Sequence, residues 1–237
     1  MELVTYSNIA STQDTARQMA LDGHLLPFAV IAETQSAGRG RRGKSWDSPQ
    51  GGLWLTLALA VPSPQAIRQS AMVAALGVAS VVLTETGVRT LIKWPNDLLV
   101  KRRKVCGILA ETLVRPGTTT LLVGIGLNVN NAVPPDQLSH VTSLRGELGR
   151  TIDVLPLCAS ILNMVERDIS SLILRGFDIF SPWMDANLAL RGELVTVEFN
   201  DQRESGRITG LSKTGALLLK SPDGSLTEVD AGSVYNW

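Results

Sequence analysis

Between Gly38 and Lys44 the chain reads G-R-G-R-R-G-K, three glycines interleaved with four cations. Glycine lets the main chain approach a ligand closely. Arginine brings a planar fork of donors that fits a carboxylate or a phosphate. A loop built this way can close over an anion. A solvated basic turn and an RNA-binding patch use the same residue types, so the loop alone leaves three readings open. A second run, Lys101-Arg102-Arg103-Lys104, adds four more cations. Its last member borders the apolar run that starts at Val105, which holds Lys104 at a strand end and not at the tip of a turn. Upstream, Ser11-Thr12-Gln13-Asp14 has the pattern of a helix start, and a helix N-terminus offers free amides and hydroxyls to a polar ligand.

Composition narrows these readings. Lys+Arg and Asp+Glu both total 22, so the formal net charge is zero. A protein that works by coating nucleic acid is usually basic overall; here the positive charge is local. Aromatic residues make up 5%, few for stacking bases. With 44% hydrophobic residues in 237, a sizeable core can form. Cys106 and Cys158 are far apart and lack metal-ligand spacing, which argues against a disulfide framework or a zinc site. His24 and His140 have no Ser, Cys or carboxylate at a recognisable spacing and read as structural or surface residues. No carboxylate cluster marks a metal site. No signal peptide is read, and the longest weakly polar run, Ser70 to Leu83, is too short to span a bilayer. The expectation is a cytoplasmic protein with no membrane or nucleic-acid partner.

The elements that must hold these residues follow from periodicity. A helix starts at Ser11, and Phe28 to Ala32 is a strand running into the glycine loop. Leu53 to Val61 is a strand leaving it, with Gly51-Gly52 as hinge. The pattern predicts a helix from about Gln65 to Thr84, a strand at Leu91 to Trp94, and a hairpin of Asp97–Val100 and Val105–Leu113 turned by the four cations. A strand follows from Thr119 to Asn128, then helices at Leu155–Leu174 and Phe177–Leu190. After Arg191 short strands alternate with turns, including Asn200-Asp201, which predicts a small all-β module.

Three segments together resemble the biotin protein ligases: G-R-G-R-R-G-K-S-W from Gly38, K-W-P-N-D-L from Lys93, and K-V-C-G-I-L-A-E from Lys104. The strand G-I-G-L-N-V-N from Gly124 and the triplet Thr142-Ser143-Leu144 also look like that family. The resemblance covers most of Ser11 to Leu144 and, more loosely, the C-terminal module. It implies an α+β fold: a central mixed or antiparallel sheet flanked by helices, of the class II synthetase-like biotin/lipoate ligase type. A catalytic domain would occupy residues 1–190, and a small SH3-like β-barrel 191–237.

The implied activity has two steps. ATP and biotin form biotinyl-5′-AMP, and the acyl group passes to one lysine of a biotin carboxyl carrier domain. A carboxylate must then approach an α-phosphate against like-charge repulsion, which fixed cations offset. The resemblance assigns Ser11, Thr12, Gln13, Gln35, Gly38, Arg39, Gly40, Arg41, Lys104 and Gly107 to biotin. It assigns Arg39, Arg41, Arg42, Lys44, Trp46, Lys104 and Asn128 to ATP. Arg41 and Lys104 are the implied catalytic cations; Asp97 would orient Lys104 or assist the acceptor lysine. Magnesium is expected with ATP, without named ligands. Only ten residues precede Ser11, so no helix-turn-helix domain and no operator binding are expected. Homodimerisation is left open. A lipoate or octanoate ligase or transferase shares the fold; the Arg-rich loop and the W-P-N-D segment favour biotin.

Overall fold

Alternation decides the central sheet. In L-W-L-T-L-A-L, the leucines at 53, 55, 57 and 59 enter one large buried cluster, while Trp54, Thr56 and Ala58 turn to the opposite face. A computed structural model describes residues 1–62, 69–199 and 202–235. Seven strands form the main sheet: β1 (Glu2–Ile9), β2 (Phe28–Gln35), β3 (Leu53–Val61), β4 (Leu91–Lys93), β5 (Asp97–Val100), β6 (Arg103–Arg115) and β7 (Thr118–Leu127). Their order is β1-β2-β3-β7-β6-β5-β4; β1 pairs parallel with β2 and every other pair is antiparallel.

Helix α1 (Thr12–Leu21) covers one face, where Ala16 and Ala20 meet Phe28, Val30, Ala58 and Leu122. Ser11 caps it by accepting from the Asp14 amide at 3.4 Å. The other face is covered by α2 (Ser70–Thr86) and α4 (Val154–Arg175), with the short α3 (Leu144–Leu148) between them in sequence. The expected start of α2 at Gln65 lies outside the described residues. Asp153 caps α4, and Gly176 ends it.

Two expectations need correction. The single helix over Phe177–Leu190 is a 3-10 turn at Phe177–Ile179 followed by α5 (Ser181–Ala186). Pro182 has no amide to continue the turn and sits at the start of the new helix. The C-terminal strands are β8 (Leu194–Phe199), β9 (Gln202–Leu211), β10 (Leu217–Lys220), β11 (Leu226–Val229) and β12 (Ser233–Tyr235). They form an antiparallel sheet in the order β11-β10-β9-β8-β12; among the described residues no pairing joins β11 to β12, so the barrel is not closed by hydrogen bonds. The expected Asn200-Asp201 turn lies outside the described residues.

The smaller sheet shares the main core. Val195, Val197, Ile208, Leu217, Leu219 and Val234 belong to the same buried cluster as the main sheet and α2. Trp94 Nε1 donates to the Gly215 carbonyl at 3.0 Å and Gln69 to the Thr214 carbonyl at 2.9 Å.

Candidate active site

The hairpin between β5 and β6 turns on two residues, Lys101 and Arg102, both with positive φ. Arg103 and Lys104 therefore belong to β6 and not to the turn. Between the Leu98–Cys106 and Leu99–Lys104 pairs the register slips, leaving Val105 as an extra residue. Val105 and Cys106 are both fully buried. On an unbroken strand Lys104 would share the core face of Cys106 and Ile108; the bulge turns it to the opposite face, beside Gly107. The other three cations pair away from that face. Lys101 and Arg103 hold Glu147, and Arg102 holds Glu193.

Lys104 points into a cleft of about 740 Å³ bounded by the sheet, the glycine-arginine loop, the β4–β5 segment and β12. Gly107, Gly124 and Gly126 form its floor. A Cβ on Gly126 would lie 2.5 Å from Trp46 Nε1, and one on Gly107 3.0 Å from the Trp46 ring, so only glycine lets the indole lie this close to the strands. Lys104 Nζ stands 4.8 Å from the centre of that ring and 2.8 Å from Asp97 Oδ1. The indole N–H is buried without a partner among the described residues.

One wall is polar. Thr12 donates to Gln35 Oε1 through its amide at 2.7 Å and its hydroxyl at 3.1 Å. Gln35 Nε2 donates to Ser48 at 2.7 Å. Thr56, buried at the centre of β3, contacts Thr12 Oγ1 at 3.0 Å and Gln13 Oε1 at 3.1 Å. Gln13 in turn donates to Glu111 at 3.0 Å. Ser11 also lines the cleft while capping α1.

The opposite wall is cationic. Arg41 donates to Asn96 Oδ1 at 2.9 Å and to the Gly232 carbonyl at 3.2 Å, and Asn96 is held by the Ile108 carbonyl at 2.6 Å. Burial, then the Arg42 charge, lowers the Arg41 pKa from its ordinary value, against Asp97 and Tyr235. Arg42 donates to the Glu198 carbonyl at 3.1 Å, and Lys44 lies 5.6 Å from the centre of the Tyr235 ring. Arg39 lines the cleft beside Gly40 but is clamped by Asp14 and Glu111.

Lys93 was absent from the sequence-derived site. It sits directly across β4–β5 from Asp97 and lines the same cleft. Burial pushes its ammonium down to about 8; Asp97 opposes this, and Lys104 and Lys44 add to it. Its position beside Asp97 was the available signal, since a tight turn over Trp94–Asn96 makes the two residues cross-strand neighbours. Thr56, Ser48, Glu111, Asn96 and Tyr235 were also missed; apart from Ser48, which bonds the nearby Trp46 and Gln35, they have partners far off in the chain.

Two assigned residues stand off this cleft. Gly38 is buried where a side chain would collide with the Trp46 carbonyl, so it shapes the loop without lining the wall. Asn128 lies in a second cleft of about 800 Å³, which shares Gln35, Ser45, Trp46 and Lys104 with the first. Its amide already donates to the Thr142 carbonyl and accepts from Asn131, both at 3.1 Å. His24 pairs with Glu2 at 2.9 Å on the surface. His140 lines the cleft rim, and its carbonyl accepts the Lys104 amide at 2.7 Å. Both thiols are buried, and burial raises their pKa values.

Residues 7–130 match the biotin/lipoate A/B protein ligase family, and residues 192–237 match the biotin protein ligase C-terminal domain. The chain belongs to the biotin protein ligases of that family. The ligase is 35% identical over 208 residues to a biotin–[acetyl-CoA-carboxylase] ligase from Paracoccus denitrificans, covering 82% of this chain and 85% of that protein. It is 32% identical over 229 residues to a bifunctional ligase/repressor from Bacillus spizizenii, covering 94% of this chain and 70% of that protein. Its fold superposes with a TM-score of 0.88 on the biotin protein ligase from Aquifex aeolicus in complex with biotin and ATP, at 26% identity, covering 99% and 97% of the two chains.

Proposed function

We propose that the two clefts join biotin to ATP and then pass the biotinyl group to a lysine of a biotin carboxyl carrier domain. The biotin carboxylate oxygen attacks the α-phosphorus and pyrophosphate leaves. The acceptor amine then attacks the acyl carbon and AMP leaves. The observation that carries this reading is Lys104, turned by the bulge to the boundary of both clefts, beside Asp97 and over Trp46. An ammonium there reaches the junction where carboxylate and phosphate meet.

The head of biotin fits the polar wall of Thr12, Gln13 and Gln35. The phosphates face Arg41, Lys44, Lys93 and Lys104, whose charges offset the repulsion between the reactants. Trp46 and Asn128 place the adenine in the second cleft. Asp97 steadies Lys104 in the first step and, as the carboxylate among the described residues that lines the first cleft, receives the acceptor lysine in the second. Arg39, already neutralised by two carboxylates, fastens the loop to α1 instead of binding phosphate. No group of three or more His, Cys, Asp or Glu among the described residues could hold a metal, and Asp97 is already paired with Lys104. Magnesium finds no protein cage here, and no step is assigned to it. Residues 1–190 would carry the chemistry and 191–237 would brace the loop.

Incubating the protein with labelled biotin, ATP and a carrier domain tests this. Biotin-dependent pyrophosphate release and labelling of one carrier lysine are expected, with lipoate a poor competitor. Lipoate transfer at an equal rate would reverse the substrate assignment.

A further inference from the structure

Two oxygens that can only accept stand at the ends of the polar wall. At one end is the Trp46 carbonyl, which takes the Ser48 proton at 3.1 Å. Ser48 Oγ then has only lone pairs to offer Gln35 Nε2. That turns Gln35 Oε1 toward Thr12, whose backbone N–H confirms the orientation and whose hydroxyl proton is drawn the same way. At the other end is the Glu111 carboxylate. Burial alone would raise its pKa. Hydrogen bonds from Gln13 and Arg17 and the charges of Arg39 and Arg17 more than offset that, so it lies below its ordinary value and the group is ionised. An ionised carboxylate only accepts, so Gln13 must turn its amine outward to Glu111 and its Oε1 inward to Thr56.

Protons are therefore pulled toward both ends and the middle is left short of them. Thr12 Oγ1, Thr56 Oγ1 and Gln13 Oε1 cluster within 3.1 Å of Thr56, and the Thr56 hydroxyl supplies the one hydrogen not already drawn outward. We infer that Glu111, a positioning residue acting through Gln13, fixes the direction of this chain so that the cleft offers acceptors to the N–H groups of a cyclic urea. The inference rests on the ligase reading and deepens it. Glu111 itself does not line the cleft, while Gln13, Thr12 and Thr56 do. The dithiolane ring of lipoate has no N–H to donate. On a fold that also serves lipoate, the polarity of one buried amide then separates the two acids. If Gln13 were reversed, its amine would face inward and suit a carbonyl instead.

Glu111→Leu tests this by leaving Gln13 with no outer acceptor, and Glu111→Gln is the conservative control. Gln13 and Arg17 both bond Glu111 Oε2, at 3.0 and 2.9 Å, while Arg39 bonds Oε1 at 2.9 Å, so a glutamine carbonyl in the Oε2 position keeps both donors and holds Gln13 as it is. Biotin affinity is measured by calorimetry beside that of a biotin methylated on its ureido nitrogens. In the unaltered protein methylation removes the donors and weakens binding about tenfold or more. In Glu111→Leu, biotin itself weakens by about tenfold, and the methylation penalty shrinks toward unity. Glu111→Met, also without an acceptor oxygen, gives a second reading if Glu111→Leu folds poorly, and Glu111→Gln keeps the ratio of the unaltered protein. A purely structural role would weaken both ligands equally; an unchanged ratio in folded Glu111→Leu or Glu111→Met overturns the inference. Failure of the unaltered protein to bind biotin at all would instead sink the ligase reading.

Discussion

Lys104 and Arg41 have different neighbours, and this separates their expected effects. Lys104 Nζ meets Asp97 and Trp46 in the cleft, and its side chain runs beside Gly107. Lys104→Ala should slow biotin-dependent pyrophosphate release by about a hundredfold or more with the thermal midpoint nearly unchanged. Arg41 also ties the loop to Asn96 and Gly232. Arg41→Ala should release biotinyl-5′-AMP about tenfold faster or more, measured by trapping the adenylate on filters. Lys93 gives a pH signature. Bound phosphate favours its charged form, so ATP affinity should fall as the pH rises through about 8, with Asp97, Lys104 and Lys44 the other charged groups around it. Lys93→Arg, which keeps its charge, should flatten that fall in a calorimetric titration. For folding the sign is opposite. The folded value lies below the ordinary 10.5, so the unfolded chain binds more protons between about 8 and 10.5, and stability rises across that window.

At the scale of elements, the bulge at Val105 and the glycine floor set the geometry. Deleting Val105 removes a fully buried side chain but leaves Lys104 opposite Leu99 and next to Cys106, still on the cleft face; stability should fall while the folded fraction keeps adenylation. Gly126→Ala puts a methyl 2.5 Å from the indole nitrogen and should displace Trp46, read as a change in its fluorescence and a weaker response to ATP. Much of this level was legible. The strands on either side of the loop, β3 above all, declare themselves by leucines at alternate positions, and α4 by its apolar period. The edge strand β1 was not read, because E-L-V-T-Y-S-N-I faces solvent along most of its length and no strong alternation marks it. The bulge was invisible, since a register slip depends on the partner strand. Glu111 was quoted within a motif but given no role, because Gln13 lies 98 residues away in sequence. Lys104 was set apart by the apolar run that follows it; the pairing of Lys101, Arg102 and Arg103 with Glu147 and Glu193 was not legible, because those carboxylates lie far along the chain.

Across the whole molecule, the two sheets are bound by one buried cluster and by hydrogen bonds from Trp94 and Gln69. A chain ending at residue 190 should therefore expose apolar surface and lose its cooperative thermal transition, measured by calorimetry. The smaller sheet also receives the loop: Arg41 at Gly232, Arg42 at Glu198, Lys44 over Tyr235. No helix among the described residues is long and apolar enough to cross a membrane. The sheets are joined through their shared core, and parting them would wet Val195, Val197 and Leu217. Traffic in and out of the clefts should then fall to a strap of a few residues unbuckling from the neighbouring sheet, a motion on the faster timescale of loops.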